Sequence, residues 1–575
     1  MADYELIVRG GTVVDGAGVP GRTADVAVRD GTIVEVGKVS ASAAKEIDAD
    51  GALVTPGWVD IHTHYDAQVT WDSHVAPSSW HGVTTAVVGN CGVGFAPVRD
   101  EDHERLIELM EGVEDIPGTA LHEGLQWGWN SFGEYLDAIE SLPHDIDVAA
   151  YVPHDPLRLF VMGERGANRE DATPEEIAEM ARLAQVAVEQ GALGFSSDRL
   201  ATHKTSRGEH TPAYGAAGEE CVAIAAAVGK VGGVLHLVSD FDDLDDEFGL
   251  LREMVGAAGT RLSFTLTYRY NDEGRRRLDS LLGHIERAQA DGLPIIGQVA
   301  PRPIGLLYGL QCTLNPFVTN PVFREIEHLS VPEKATAMAA PAFRERLLAS
   351  LTDQLDFRVG GNRLNTWELM YELTDPPNYE PDPADSLLAQ SQRSGRMPAE
   401  IAYDILIKDE GQGMIYIPHV NYRDGNLDVV KDMLQHPFTV PGLSDGGAHV
   451  GTICDASFPT TLLAYWARDR ERGLLEVPYV VQQQCAQTAR LVGLKDRGVI
   501  APGMRADINV IDFDRLALRR PEMVQDLPAG GSRLMQRADG YVHTLVRGEV
   551  VYNEGRATGA LPGRLVRGPQ VPLSI

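Results

Sequence analysis

Cysteine is scarce in this sequence, which has five cysteines among 575 residues and no CxxC pair. The number is odd and the spacings are wide, which excludes a disulfide framework or a zinc ribbon as the basis of the fold. The first residues lack the basic and apolar regions of a signal peptide, so we expect a cytoplasmic protein with free thiols. The cysteines are Cys91, Cys221, Cys312, Cys454 and Cys485.

Positive charge and long apolar runs are also in short supply. The chain has 50 lysines and arginines against 83 acidic residues, which gives a formal net charge of −33. This surplus repels phosphate groups, so we expect neither nucleic acid nor an anionic membrane as a partner. No apolar run approaches the roughly 20 residues that a membrane-spanning helix needs. The oligomeric state is left open, a homo-oligomer included.

Motifs of several enzyme classes are absent as well. The chain has no P-loop, no GxSxG nucleophile elbow and no GxGxxG between a strand and a helix. Its hydrophobic fraction of 43% is nonetheless enough for a large core, and its length exceeds that of one ordinary domain. We therefore expect one large domain with a smaller module.

The two ends of the chain share a β-rich pattern. Residues 4–54 and 497–553 contain short β-branched runs separated by glycine-containing turns such as Gly-Gly and Asp-Gly. These are strand and tight-turn signals. We expect a small β-domain assembled from residues 1–55 and 490–575.

The middle of the chain, residues 56–489, alternates between apolar strand-like runs and helical stretches. Such alternation predicts a parallel α/β fold. The number of repeats favours an eight-stranded barrel, although periodicity alone leaves an open doubly wound sheet possible. Residues 305–400 are rich in Pro, Asp and Ser, and we expect an insertion or long loop near the active face. The predicted strands are 83–90, 147–154, 233–239, 261–267, 293–300, 413–420 and 438–445, and the clearest predicted helices are 173–191 and 218–232.

Two histidines stand one residue apart at the end of an apolar run, in the segment PGWVDIHTHYD (56–66). In an extended segment residues i and i+2 point to the same face, so His62 and His64 project together, about 6–7 Å apart. Such a pair suits two nitrogen ligands on one metal ion. An HxH pair alone is more often two ordinary histidines. The preceding strand and the nearby Asp66 favour the metal interpretation.

Polar residues close other predicted strands. Taken singly, each would ordinarily be a core or loop residue. In a parallel barrel, however, the C-terminal ends of the strands meet at one face, so together they predict a site there. These residues are Cys91, His154, His236, His419, Asp445 and, four residues further on, His449.

Six segments spread over nearly the whole chain follow a known family pattern. They are LVTPGWVDIHTHYD (53–66), GVTTAVVGNCGVGFAPV (82–98), HDPLRLFVMG (154–163), GALGFSSDRL (191–200), PGLSDGGAH (441–449) and RGVIAPGMRADINVID (497–512). They resemble the amidohydrolase superfamily and, more narrowly, its N-acyl-D-amino-acid deacylase branch. The HxH motif with the ADINVID strand is specific for the superfamily, and the NCG motif is fairly specific for the branch.

The resemblance implies a distorted TIM barrel with a β-sandwich formed by both termini. It implies a hydrolase of non-peptide C–N amide bonds that uses one or two zinc ions and acts on small molecules, the N-acyl-D-amino acids. Asp445 would be the catalytic residue that moves the proton. The implied metal ligands are His62, His64, Cys91, His236 and Asp445.

The chain departs from the family pattern in the segment RLSFTLTYRY (261–270). Ser263 is kept, but Phe264, Thr265 and Leu266 follow it where the family has a histidine and a lysine. The implied metal site therefore lacks one imidazole, and the substrate carboxylate lacks its lysine. The metal could be held mainly by the other ligands, or the chemistry could differ from that of the family.

Other residues could supply what this segment lacks. A further histidine could complete the metal site or bind the substrate, and an arginine could clamp a carboxylate, because guanidinium binds carboxylates in a bidentate manner. The alternative functions are hydrolysis of a cyclic amide or imide, hydrolysis of another small acylated amine, and a metal-poor relative without catalysis. The candidate side chains are His154, His419, His449, Arg158, Arg302 and Arg423.

Overall fold

The computed structural model describes residues 3–268, 272–351, 355–356, 362–422 and 425–573. Its centre is a sheet of eight parallel strands, which lie side by side in the order of the chain. A parallel bridge between Thr63 and Gly446 joins the segments after the first and the eighth strand, so the sheet curls back on itself. From first to eighth the strands are Trp58–Asp60, Val83–Val88, Asp147–Pro153, Gly194–Arg199, Val234–Ser239, Leu262–Thr265, Ile295–Val299 and Thr439–Pro441.

Helices connect these strands and cover the sheet, which confirms the expected α/β class. The helix predicted at 173–191 spans Pro174–Glu189, and Thr173 caps it by accepting a hydrogen bond from the backbone of Glu176. The helices of this part are His103–Glu114, Gly118–Gly124, Phe132–Ser141, His154–Met162, Glu164–Ala167, Pro174–Glu189, Gly218–Lys230, Leu244–Ala258, Asp272–Ala290, Asp428–Gln435, Phe458–Ala464, Val477–Val481 and Thr488–Leu491.

Shorter helical segments lie in the loops. The 3₁₀ segments are Gln68–Thr70, Ser78–His81, Asn90–Gly92, Asp100–Asp102, Pro383–Asp385 and Pro528–Gly530, and the π-helical segments are Tyr465–Asp469 and Gln482–Gln487. Of the described helices, none combines the length and the apolar composition that crossing a membrane requires.

A separate folded unit lies between the seventh and the eighth strand. Its antiparallel sheet consists of Ile304–Gly309, Met414–Val420 and Tyr371–Glu372, and it has an apolar core of its own. Residues 305–400, expected to be an insertion or long loop, lie in this unit. The other elements are the helices Pro321–Arg324, Val331–Ala339, Pro341–Ala349, Leu387–Ser394, Pro398–Leu406 and Lys408–Gly411 and the strand pair Leu355–Asp356 and Asn362–Arg363.

The assignment of residues 413–420 to the alternating parallel strands was wrong. The run is a strand, but it pairs antiparallel with Ile304–Gly309. An apolar run of this length fits any buried strand, and its true partner lay partly inside the segment expected to be a loop. The fourth parallel strand is Gly194–Arg199 instead, which the apolar pattern does not reveal because four of its six residues are polar.

A nine-stranded sheet unites the two ends of the chain. Leu53–Pro56 pairs antiparallel with Ile508–Ile511, so strands from before and after the barrel meet in the middle of this sheet. Its other strands are Tyr4–Val13, Arg22–Arg29, Thr32–Gly37, Ala43–Asp48, Tyr541–Val546, Glu549–Asn553 and Arg556–Ala557. Two small ribbons pair Ala517–Leu518 with Ala538–Asp539 and Glu522–Val524 with Arg533–Met535.

Candidate metal centre

Three side chains of types that can ligate a metal converge at the C-terminal end of the first two parallel strands. One ligand atom each of His62, His64 and Cys91 lies within 4.8 Å of the other two. Nε2 of His62 is 3.2 Å from Sγ of Cys91. All three side chains are buried, so the cluster is screened from bulk water.

The backbone holds the histidines against the segment that follows the eighth strand. The amide of Asp445 donates to the carbonyl oxygen of His62 at 3.2 Å, and the amide of His64 donates to that of Gly446 at 2.8 Å. As a result Oδ1 of Asp445 lies 3.3 Å from Nε2 of His62 and 3.7 Å from Nε2 of His64. A carboxylate therefore joins the two imidazoles and the thiol.

A tight turn aims Cys91 at the cluster. Cys91 has a positive φ of 52° and lies between Gly89 and Gly92, whose φ angles are 78° and 70°. The side chain of Asn90 fixes the turn, since its amide donates to the carbonyl oxygens of Thr63 and Val87 at 3.1 and 2.8 Å. Only glycine fits at position 92, because a Cβ there would lie 2.8 Å from the backbone nitrogen of Asp198.

The outer nitrogen of each histidine faces a side-chain oxygen, and that of His62 forms a hydrogen bond. Nδ1 of His62 lies 3.0 Å from Oε1 of Gln298, and Nδ1 of His64 lies 3.2 Å from Oε1 of Glu114. A metal-ligating histidine commonly has its other ring nitrogen held by such an acceptor. His62 can thus keep the proton on Nδ1 and present the lone pair of Nε2 to the centre, whereas Nδ1 of His64 forms no hydrogen bond among the described residues despite the nearby Glu114 oxygen.

The ionisation of these groups reflects their burial. Burial lowers the pKa of His62 to about 4 and that of His64 well below its ordinary value. Burial raises the pKa of Asp445 to about 7 and, with the nearby carboxylates, raises that of the Cys91 thiol well above its usual range. A divalent cation suits both effects, because it binds neutral imidazole and offsets the raised pKa values of Cys91 and Asp445 by stabilising thiolate and carboxylate. Two nitrogens, one sulfur and one oxygen form a donor set that fits zinc.

His236 lies beside this cluster but is not one of its three members. Its ring centre is 4.9 Å from that of His62, and its Nδ1 is 3.2 Å from Oγ of Ser263 and 3.3 Å from Nε2 of Gln298. Nε2 of His236 is buried and has no hydrogen-bond partner among the described residues.

The sixth strand brings no imidazole to the centre. Phe264 packs against Phe241 and Phe248, with ring centres 5.2 and 6.1 Å apart. Ser263 contacts the centre through His236 and Gln298. The hydroxyl of Thr265 is buried and has no hydrogen-bond partner among the described residues.

Two of the candidate substrate-binding residues lie in a different buried cluster. Nδ1 of His154 is 2.8 Å from Oγ of Ser197, and its Nε2 is 2.8 Å from Oε1 of Glu220. Nε of Arg158 is 3.2 Å from the same Glu220 oxygen, and Arg158 also donates to two backbone carbonyls. These hydrogen bonds hold both side chains within the layer of helices, outside the group around His62.

The remaining candidates are dispersed. Nε2 of His449 lies 3.6 Å from Oε2 of Glu114, and its side chain is 27% exposed, so it lies at the rim of the centre. Arg302 is buried, donates to Asp455 at 3.0 Å and stacks on an aromatic ring. His419 belongs to the antiparallel strand of the separate folded unit. Arg423 lies outside the described residues.

The pattern of strand ends misses several residues of the site. Glu114 ends a helix and Gln298 lies within a strand, so neither follows an apolar run. The third missed residue is His203. Its Nδ1 lies 3.1 Å from Oδ2 of Asp198, at the end of the fourth strand. Burial would lower the pKa of His203, but the charges of Asp198 and Glu114 outweigh it and raise the value to about 9. For Glu114, the signal in the sequence is an acidic residue on the otherwise apolar face of the helix His103–Glu114.

Comparison with known proteins extends this description. The sequence profile of the amidohydrolase family matches residues 45–552. D-aminoacylase of Alcaligenes xylosoxydans xylosoxydans is 27% identical over 571 residues, which cover 98% of this chain and 97% of the relative. N-acyl-D-glutamate deacylase of the same organism is 28% identical over 575 residues, which cover 98% of this chain and 96% of the relative.

Solved structures share the fold. A D-aminoacylase structure described for its binuclear metal centre has a TM-score of 0.65 at 23% identity, covering 98% of this chain and all of the other. The N-acyl-D-glutamate deacylase of Bordetella bronchiseptica, solved with zinc and a phosphonate inhibitor, has a TM-score of 0.64 at 23% identity, covering 98% of this chain and 99% of the other.

Proposed function

Because the chain belongs to the amidohydrolase family, we propose that it is a metal-dependent hydrolase that removes the acyl group from N-acyl-D-amino acids. The observation that carries this proposal is the convergence of His62, His64 and Cys91 beside Asp445. The named relatives that align over nearly the whole chain are deacylases of this class.

The architecture we propose follows the family. Residues 56–489 form a distorted TIM barrel that carries the site and the folded unit inserted before the eighth strand. Residues 1–55 and 490–575 form a β-sandwich, which the nine-stranded sheet supports. The C-terminal ends of the barrel strands are where enzymes of this architecture place their active sites.

The proposed metal is zinc, held by His62, His64, Cys91 and Asp445. When bound, zinc lowers the pKa of a water molecule toward about 7 and so supplies hydroxide at neutral pH. Gln298 and Glu114 keep the two imidazoles turned toward the centre, as their distances to Nδ1 indicate. We assign one zinc ion to this group and leave a second site unassigned.

Asp445 is the proposed catalytic residue. Its Oδ1 faces both imidazole Nε2 atoms, so it lies beside the position from which a nucleophilic water would attack. It accepts the proton of that water and delivers it to the amine that leaves. His449 lies at the rim, where its partly exposed ring can contact the substrate.

A substrate panel tests this function. Zinc-loaded enzyme should release amino acid from N-acetyl-D-amino acids faster than from the L-enantiomers, and chelation should stop the reaction. Asp445→Asn should lower kcat at least a thousandfold, whereas Asp242→Asn, at a position 81% exposed, should not change it. Turnover of cyclic imides with none of the N-acyl-D-amino acids would replace deacylation by the cyclic-amide function.

A further inference from the structure

One amide side chain contacts two histidines of the centre. Oε1 of Gln298 lies 3.0 Å from Nδ1 of His62, and its Nε2 lies 3.3 Å from Nδ1 of His236. The same Nε2 donates to Oγ of Ser263 at 3.0 Å. An amide group accepts hydrogen bonds only through its oxygen and donates them only through its nitrogen. Gln298 is therefore an acceptor toward His62 and a donor toward His236.

The proton of His62 fixes the orientation of this amide. Nε2 of His62 faces Cys91 and Asp445, so a metal at the centre binds its lone pair there. The proton of the neutral ring is then on Nδ1, which must donate. The atom of Gln298 opposite Nδ1 is therefore the oxygen, and the nitrogen points to the other side.

The opposite tautomer follows for His236. The nitrogen of Gln298 has two hydrogens, one for Ser263 and one for Nδ1 of His236. A proton on Nδ1 would place two donors face to face at 3.3 Å. The hydroxyl of Ser263, 3.2 Å from Nδ1, can donate as well as accept and so fits either tautomer. Nδ1 of His236 therefore accepts, and the proton is on Nε2.

A protonated Nε2 cannot bind a metal, and two further observations agree. The sixth strand next to His236 has Phe264 turned away and Thr265 in place of an imidazole, so this strand supplies no second histidine to share a metal with His236. Its Nε2–H is buried without an acceptor among the described residues, although a buried donor normally has a partner.

We propose that His236 is not a metal ligand in this chain but a neutral hydrogen-bond donor, whose Nε2–H binds the carbonyl oxygen of the amide to be cleaved. The donor is fixed before the substrate arrives, and it stabilises the negative charge that develops on that oxygen. The identity of the acceptor rests on the proposed function. The tautomer rests on Gln298 and on the proton at Nδ1 of His62, which orients the amide when Nε2 binds a metal.

Measurements of metal binding distinguish a metal-ligand role of His236 from a hydrogen-bond-donor role. We would measure the zinc Kd by chelator competition and the visible absorption of the cobalt-substituted protein for His236→Gln, which keeps a donor, and His236→Leu, which removes it. Both variants should bind zinc within about threefold of wild type with an unchanged cobalt spectrum, whereas His62→Gln as the matched control should weaken zinc by about 10-fold or more. A weakened zinc Kd and an altered spectrum in both His236 variants would overturn the proposal.

Activity and NMR complete the test. Loss of one such donor lowers kcat about 10²–10³-fold. The kcat of His236→Leu should therefore fall by that factor, and the kcat of His236→Gln should fall by much less. Equal kcat in His236→Leu and wild type would refute the donor role.

NMR of the histidine-labelled zinc protein tests the tautomer directly. The spectrum should show His236 protonated on Nε2. Protonation on Nδ1 would refute the proposal even if the leucine variant does not fold. If wild type cleaves no N-acyl-D-amino acid, the proposed function fails, while zinc affinity and tautomer still decide the role of His236.

Discussion

The carboxyl group of Glu114, the last residue of the helix His103–Glu114, lies 3.2 Å from Nδ1 of His64. His64 therefore has a carboxyl group behind it, whereas His62 has the neutral amide of Gln298. An acceptor in this position orients a ligating imidazole and raises its basicity, and a carboxylate does so more strongly than an amide.

Replacing Glu114 should weaken the metal site without breaking the fold. Burial raises the pKa of Glu114 well above its ordinary value. In Glu114→Gln an amide of the same shape replaces the ionisable carboxyl group, so we expect the zinc Kd to rise about tenfold, the lower end of the effect of such partners. Competition with a chelator measures it, and the matched control is Glu104→Gln in the same helix at a position 58% exposed. An unchanged Kd in Glu114→Gln would show that Glu114 does not support His64.

The turn that carries Cys91 should not tolerate a side chain at Gly92. Gly92→Ala places a Cβ 2.8 Å from the backbone of Asp198, in addition to the strain of a positive φ. Gly208→Ala is the matched control, because Gly208 has a φ of 82° but nothing within 4 Å of the added Cβ. Gly92→Ala should cost about 1–3 kcal/mol more of unfolding free energy than the control and should also weaken zinc binding. Equal losses in the two variants would mean that the close contact is unimportant.

Zinc should stabilise the folded protein through the predicted ligands. Free zinc at a hundred times Kd adds about 2.7 kcal/mol to the folded state. We expect thermal unfolding of the zinc-loaded protein to shift down on chelation and to recover when zinc is restored. Cys91→Ala removes the thiolate and should show a much smaller shift. A shift in Cys91→Ala as large as in wild type would remove Cys91 from the ligand set.

Asp147 should make the contact between barrel and terminal sheet sensitive to acid. It lies 2.7 Å from Arg497 and 2.8 Å from Arg505, and it is fully buried. Burial raises the pKa of Asp147, but the two guanidinium groups outweigh it and hold the value below its ordinary 3.8. The group therefore stabilises the fold above about pH 4, and this contribution is lost as the pH falls through its depressed pKa.

Substitution of Asp147 measures that contribution. Asp147→Asn removes one charged partner from Arg497 and Arg505, which keep Asp496 and Asp507 at 2.9 Å, and should cost about 1.5–3 kcal/mol of unfolding free energy at pH 7. The difference between wild type and variant should shrink below pH 3.8, as denaturant titrations at several pH values would show. Asp137→Asn, at a position 73% exposed and paired with Arg567, should cost less than about 1 kcal/mol. A difference that grows in acid would contradict the assigned direction.

The sequence predicts those parts of the molecule in which one local pattern decides the structure. The HxH pair follows an apolar strand, and the strand itself brings both rings to one face. The same reasoning misses Glu114, because the fold, not the local pattern, brings the end of a helix to His64. It also misplaces Met414–Val420, since an apolar run does not state whether its neighbour is parallel or antiparallel. Only the packed barrel shows which polar residues meet.

The bridge between Thr63 and Gly446 has a consequence for how the protein is made. The chain leaves the ribosome with His62, His64 and Cys91 first, while Asp445 and the segment that holds the histidines in place follow more than 350 residues later. A nascent chain cannot assemble the full ligand set. If zinc binds the four proposed ligands, complete coordination would require that translation has passed the eighth strand and that Gly446 has paired with Thr63.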